Sequence, residues 1–257
     1  RHAVARGELI LHFQPKVELA QGICTGVEAL VRWQHPQRGL VSPLEFIPLA
    51  EETGLILPIG QWVLEQACQQ ARDWQNRFGA PLQVAVNLSA RQLRHPGLVE
   101  DIAGALSRSS VVPGSLVLEI TETVLMEEDD LSMSTLHRLK ELGVRLAIDD
   151  FGTGYSSLAY LKRFPVDDLK IDRSFVSGLG HDQQGAIIVS SIIQLAHALG
   201  LHVVAEGVET SEQSAELQRM GCDTAQGYFF ARPLSAQDAE KFIIKNLPPA
   251  EVKLRVV

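Results

Sequence analysis

Ala147-Ile148-Asp149-Asp150-Phe151-Gly152-Thr153-Gly154-Tyr155-Ser156-Ser157 is the stretch that decides how the rest of the chain is read. The apolar run from Val144 to Ile148 reads as a buried strand that ends on two adjacent carboxylates. Successive side chains of a strand point to opposite faces, so Asp149 and Asp150 reach one spot only if the strand stops there. Gly152 and Gly154 free the backbone to turn, and Ser156-Ser157 suits the cap of a short helix beginning near Leu158. A carboxylate pair at a strand end, beside such a loop, can hold divalent cations. An acidic strand-to-helix turn without chemistry fits the same residues, so the surrounding chain must separate the two.

Outward from this stretch the pattern is strand then helix. Leu9 to Gln14 reads as a strand stopped by Pro15, and Gly22 to Trp33 as a second, with a short link that makes the two an antiparallel hairpin. Ser42-Pro43-Leu44-Glu45 has the form of a capping box opening a helix over Phe46 to Glu52, and Ile59 to Phe78 is a long amphipathic helix. Trp62 and Trp74 fall on its apolar side as core or docking residues. Further strands follow at Leu82 to Val86, Leu116 to Ile120, Val144 to Ile148, Asp168 to Ile171, Val203 to Ala205 and near Thr224. Helices lie within His95 to Ser107, Leu131 to Leu142, Ala186 to Leu199, Glu212 to Met220 and Ala236 to Ile244. Eight strands alternating with helices over about 250 residues predict an α/β fold, a TIM-like (β/α)8 barrel, with an antiparallel strand near the N-terminus.

What the strands carry at their C-terminal ends says more than their number. Glu28, Asn87, Glu119, Asp149, Asp150, Lys170, Glu206 and Gln226 all fall there, where packing alone would place Val, Ile or Leu. In a barrel those ends converge on one face, the face that carries active sites in this fold. Several carboxylates in one mouth cannot all stay ionised without cations, because like charges raise one another's pKa. Oxygen donors without clustered His or Cys favour a hard ion, Mg²⁺ or Mn²⁺, and so many carboxylates suggest two ions. His12, His137, His197 and His202 lie on separate elements and read as surface or core imidazoles. Two ions can activate a water and stabilise the attacking and leaving oxygens of a phosphate ester. Lys170 would orient that water or, alternatively, only pair with the acidic ring.

Composition narrows the classes. The 257 residues, 46% hydrophobic and 21% charged, are those of one globular domain. A net charge of −8 argues against a nucleic-acid polymer as partner, while a phosphorylated small molecule remains compatible if cations lie between. Three scattered cysteines, Cys24, Cys68 and Cys222, form no ligand spacing and suit a reduced cytoplasmic setting. The chain opens on Arg1-His2-Ala3, which reads as a single domain spanning 1–257, core 8–246, excised from a larger protein. The acidic run Glu127-Glu128-Asp129-Asp130 reads as a solvated helix start, and the loop Trp33 to Leu40 is a candidate rim of the ligand mouth.

Glu28-Ala29-Leu30, Asn87-Leu88-Ser89, Glu119-Ile120-Thr121-Glu122, Asp149 to Gly154, Lys170-Ile171-Asp172, Ala205 to Glu209 and Gln226-Gly227-Tyr228 occur in one order. In that order they resemble the EAL domain, a family that hydrolyses the bacterial second messenger cyclic di-GMP. The resemblance covers about Glu8 to Asn246 and implies a barrel with one antiparallel strand. It implies that Glu28, Asn87, Glu119 and Asp149 hold one metal, and Asp149, Asp150 and Glu206 the second. Lys170 resembles the residue that holds the attacking water; Glu209 and Glu122 resemble carboxylates behind the ligands, with Glu122 anchoring the loop after Asp150. Gln14 and Gln226 match nucleotide-contacting positions, Arg32 a phosphate-binding one, and Pro233 one lining the guanine pocket. The implied product is linear 5′-pGpG. The implied partners are a second copy, docked through Phe151 to Phe164, and regulatory domains of a parent protein, with this domain on the cytoplasmic side of any membrane anchor. Leu11-His12-Phe13 departs from the family, where an aromatic pair is usual. The alternatives are a catalytically silent cyclic di-GMP receptor, which the filled ligand positions speak against, and an unrelated Mg²⁺-dependent barrel lyase, which the run of motifs speaks against.

Overall fold

The computed structural model describes residues 3–126, 130–153, 161 and 163–247. The expected helix near Leu158, the acidic residues 127–129, most of the 151–164 segment and the tail from 248 lie outside the described residues. The strands are β1 (Leu9–Glu18), β2 (Cys24–His35), β3 (Gly39–Val41), β4 (Gln83–Asn87), β5 (Leu116–Thr121), β6 (Arg145–Phe151), β7 (Asp168–Ile171), β8 (His202–Ala205) and β9 (Thr224–Ala225). They run in the order β1-β9-β8-β7-β6-β5-β4-β2-β3, and a further β1–β2 pairing closes the sheet on itself. The closed wall therefore has eight strands, with β3 hanging as a ribbon on the end of β2. From β2 round to β9 every pairing in the wall is parallel, while β1 is antiparallel to both β2 and β9. The hairpin expected from the short link after β1 is what reverses that strand.

The parallel strands turn buried apolar residues outward against the helices, so a continuous core fills the space between wall and helices. The long helix, Ile56–Phe78, buries Val63, Ala67, Ala71 and Trp74, and Trp74 meets Phe13 of β1 edge to face at a centroid distance of 5.0 Å. Capping boxes at Ser89/Gln92 and Thr210/Gln213 start two of the other helices. The one expected at Ser42 does not form. Helix Pro43–Thr53 begins there with Pro in its first turn, but the Ser42 side chain makes no cap and Glu45 pairs with Arg38 instead.

Where β1 and β6 run past the ends expected of them, the difference shapes the site. β1 passes through Pro15 to Glu18, because β9 pairs with it only at Val17 and Glu18 and leaves the edge beside Pro15 without a ladder. β6 passes through both aspartates to Phe151. The segment Trp33 to Leu40 is the β2–β3 hairpin rather than a free loop, and none of it lines the cavity at the barrel mouth.

Inside the barrel, Ala85, Val117 and Ala147 form a small apolar layer. One pleat further along the same strands, on the same face, come Asn87, Glu119 and Asp149. Barrel interiors are ordinarily filled by branched apolar side chains. Here the two alanines leave the middle open for long polar side chains from β1 and β7.

Candidate active site

Lys170, on β7, is the centre of the mouth. Its side chain is 1% exposed, and its Nζ lies 2.8 Å from Glu119 Oε2, 2.9 Å from Asp149 Oδ1, 2.7 Å from Glu206 Oε1 and 4.0 Å from Glu28 Oε2. The four carboxylates come from β5, β6, the end of β8 and β2, so closure of the barrel is what brings them together. Glu119 has a second cation: Lys16 of β1 places its Nζ 2.6 Å from Oε1. Gln14 and Lys16 lie two apart on β1 and so share the inward face, the first at the rim and the second beneath it.

Asp149 and Asp150 both face the mouth although the strand does not stop. Ile148 pairs with Leu169 and Phe151 with Ile171, so two residues of β6 stand opposite the single residue Lys170 of β7. This is a bulge, and Asp150 takes φ 54° in it, the left-handed region that Asp tolerates better than most residues. The Asp150 amide donates to Asp149 Oδ1 at 2.9 Å. As a result one carboxylate oxygen each of Asp149, Asp150 and Glu206 lie within 4.8 Å of one another.

The opposite rim is a hydrogen-bonded chain. Asn87 Nδ2 donates to Glu28 Oε1 at 2.7 Å, and Gln226 Nε2 donates to Glu28 Oε2 at 2.6 Å and to Gln14 Oε1 at 3.1 Å. Gln14 Nε2 in turn donates to the Ala231 carbonyl at 3.1 Å. Glu28 and Gln14, as acceptors, hold the Gln226 amide, and its buried Oε1 is left without a hydrogen-bond partner among the described residues.

The electrostatics divide the carboxylates. Burial pushes Glu119 up, but Lys16 and Lys170 outweigh it and hold it down at about 2. Burial pushes Glu206 to about 8 despite Lys170, with Asp149 and Glu28 adding to the rise. Glu28 and Asp150 are also raised, each first by burial; Lys170 and Lys16 oppose the rise at Glu28, while Asp149 and Asp172 add to it at Asp150. For Lys170 burial favours the neutral amine, yet the surrounding carboxylates win and hold it well above its ordinary value. It is a fixed cation at neutral pH.

A cavity of about 220 Å³ opens onto this cluster, lined by Gln14, Glu28, Leu30, Asp149, Arg173, Glu206, Glu209, Gln226 and Tyr228, among others. Glu209 is exposed on its wall, its backbone amide bonded to Gln213 Oε1. Arg32 lies just outside the lining; burial lowers its pKa while the fields of Glu28 and Tyr228 favour the cation. Pro233 also falls outside the lining. Glu122, 1% exposed, accepts the Gly152 amide at 2.8 Å and so ties down the start of the segment after the aspartates.

Sequence reasoning missed three residues here. Lys16 is hidden in the sequence because Pro15 reads as the end of its strand. Arg173 follows the Lys170-Ile171-Asp172 run and lines the cavity with no salt bridge among the described residues; Tyr228 lines it too, with Arg232 over its ring at 4.2 Å. Of the scattered histidines, His197 pairs with Asp223 and His202 with Asp168 and Thr224, away from the mouth. The three cysteines are buried and free.

The donor set is all oxygen, carboxylates with one Asn amide, and it contains carboxyls that resist ionising without a nearby cation. Both features fit a hard divalent ion. The acidic cluster of Asp149, Asp150 and Glu206 has the spacing to hold one.

A family model described as the EAL domain matches residues 1–233. The bifunctional diguanylate cyclase/cyclic di-GMP phosphodiesterase MucR of Pseudomonas aeruginosa is 52% identical over 237 residues, covering 92% of this chain and 35% of MucR. The cyclic di-GMP phosphodiesterase PdeR of Escherichia coli is 40% identical over 250 residues, covering 97% of this chain and 38% of PdeR. The chain thus spans little more than a third of the length of these relatives. Among solved structures, the PaMucR phosphodiesterase in its c-di-GMP complex superposes with a TM-score of 0.89 at 51% identity, covering 93% of this chain and 97% of that one. The EAL enzyme Bd1971, in its cAMP and cyclic-di-GMP bound form, gives a TM-score of 0.90 at 36% identity over 94% of this chain and 66% of that one. Among the described residues no helix is long and apolar enough to cross a membrane.

Proposed function

This chain belongs to the EAL domain family, and from that premise we propose that it is a metal-dependent phosphodiesterase that hydrolyses cyclic di-GMP to linear 5′-pGpG. The observation that carries the reading is the ring of carboxylates gathered around Lys170 at the C-terminal ends of the barrel strands. Glu28, Asn87, Glu119 and Asp149 would hold one ion and Asp149, Asp150 and Glu206 the other. Mg²⁺ and Mn²⁺ are the ions the oxygen set suits. When bound, such a pair lowers the pKa of water and offsets the charge of a phosphodiester.

The chain's own residues supply the rest. Lys170, held as a cation, donates a hydrogen bond to the attacking water and steadies its lone pair toward phosphorus; it does not serve as the base. The water oxygen forms the new P–O bond and the P–O3′ bond breaks; one proton of the water ends on the 3′ oxygen, which leaves as the hydroxyl of the linear product, and the other stays with the new 5′-phosphate. Glu28 and Glu209 complete the catalytic group, the first by fixing Asn87 and Gln226, the second from the cavity wall. Gln14 and Gln226 would meet the nucleotide, Arg32 the phosphate that is not cleaved, and Pro233 a guanine. Glu122 keeps the segment after Asp150 in register with the site. Pairing of two copies through 151–164, regulatory domains elsewhere in the parent chain, and a cytoplasmic setting belong to the same proposal, as does a single barrel unit over 1–257.

Turnover of cyclic di-GMP with Mg²⁺ or Mn²⁺ tests it, beside Glu28→Ala and a metal-free control. Linear pGpG from the wild type alone, and only with metal, is the expected result. Tight binding without product in any metal would replace the hydrolase by a receptor.

A further inference from the structure

Glu119 differs from the other carboxylates of the mouth in having both oxygens engaged by cations. Its Oε2 faces the cluster, 2.8 Å from the Lys170 ammonium that Asp149 and Glu206 share. Its Oε1 faces the barrel interior, 2.6 Å from Lys16. The Lys16 side chain is 8% exposed and that of Glu119 0%, so neither has water to fall back on. Lys16 reaches this position only because β1 continues past Pro15 and because Ala85 and Ala147 leave the interior open. Breaking such a pair on one side leaves a buried charge behind, which holds the arrangement rigidly.

We propose that Lys16 is a positioning residue that confines Glu119 to one-oxygen coordination and thereby biases the site toward small octahedral ions over Ca²⁺. The inference rests on the metal-site reading above and adds a determinant of its selectivity. Mg²⁺ accepts six ligands in near-ideal octahedral geometry, whereas Ca²⁺ takes up to eight and commonly draws both oxygens of a carboxylate. With Oε1 turned into the barrel and held there by Lys16, Glu119 has only Oε2, the oxygen on the cluster side that it shares with Lys170, to offer. The effect is geometric, so a neutral donor in place of the ammonium preserves it, and an unbranched apolar side chain abolishes it.

The test is calorimetric titration of the full chain with MgCl2, MnCl2 and CaCl2, for the wild type, Lys16→Met and Lys16→Gln, with thermal melts as the check on folding. The Met variant is expected to narrow the preference for Mg²⁺ over Ca²⁺ by roughly tenfold, while the Gln variant, which can still donate to Oε1, retains it. Equal shifts for all three ions in both variants, a pure charge effect, would overturn the inference and leave the metal-site reading standing. A wild type that binds none of the ions overturns both. Should Lys16→Met not fold, the wild type answers alone: the infrared carboxylate band lost in Glu119→Gln is expected to show a one-oxygen splitting on Ca²⁺ loading, and a two-oxygen splitting refutes the proposal.

Discussion

Asp149 and Asp150 stand together opposite one residue, Lys170, because β6 carries one more residue than β7 at that level. The extra residue is Asp150, at φ 54°. An unbroken strand would have sent the two carboxylates to opposite faces; the bulge turns both into the mouth.

Substitutions at Asp150 should therefore separate backbone from chemistry. Asp150→Asn keeps a residue that tolerates the left-handed region and is expected to melt like the wild type. Asp150→Ala should lose about 1 kcal/mol of stability, because its Cβ meets the following carbonyl without compensation. Both are expected to weaken Mn²⁺ binding by roughly tenfold or more, since the same carboxylate is gone. Thermal melts and calorimetry, run side by side, read the two effects.

Glu206 gives the metal-free protein a pH dependence of unusual sign. Burial first, then Asp149 and Glu28, raises it from 4.5 to about 8. Between those values the folded protein keeps a proton that the unfolded chain has released, so stability falls as pH rises through the window. Glu119, held at about 2, contributes the opposite way, but its contribution is complete above the ordinary carboxylate range and does not vary there. Urea unfolding in EDTA between pH 5 and 8 should show the decline, and Glu206→Gln should flatten it. Divalent affinity is expected to climb over the same window, because ion and proton compete for one carboxylate.

Removing the Glu122 carboxylate should loosen the segment it holds without unfolding the barrel. Its bond to the Gly152 amide is the tie between β5's end and the residues after the aspartates. In Glu122→Ala, hydrogen exchange at Gly152 is expected to accelerate, with a loss of about 1 kcal/mol of global stability and a clear fall in turnover. Unchanged exchange at Gly152 would refute the anchoring role.

Gly207 tests how closely the mouth is packed. It has φ +67°, and a Cβ there would stand 2.4 Å from the Arg173 Cβ. Gly22 has a similar φ of +71° with nothing within 4 Å. Gly22→Ala should cost about 1 kcal/mol for its conformation alone. Gly207→Ala should cost more, by about 1–3 kcal/mol, and displace Arg173 and Glu206, so that activity drops with stability.

Much of this was legible in the chain. β4, β5, β6 and β8 are short, mainly apolar runs with a polar residue at or just past the end, and the longer helices between them carry a 3.6-residue period. The residues that converge in the mouth, from Glu28 to Gln226, were visible because a charged side chain at the end of a buried strand has no packing explanation. Pro15 misled, since a proline rule cannot see that one edge of β1 lacks a partner. Arg32 and Pro233 were placed by resemblance, and the cavity lining at the mouth does not include them.

By itself the sequence determined the order and type of most elements and which oxygen donors stand at the strand ends, because periodicity and residue chemistry are local properties. Only the tertiary structure decided that Asp149 and Asp150 share a face, that Lys16 closes on Glu119 across the barrel, and that one lysine serves four carboxylates. Those facts depend on register and closure, which are fixed by pairings between residues as far apart as Lys16 and Glu119, and no local pattern encodes them.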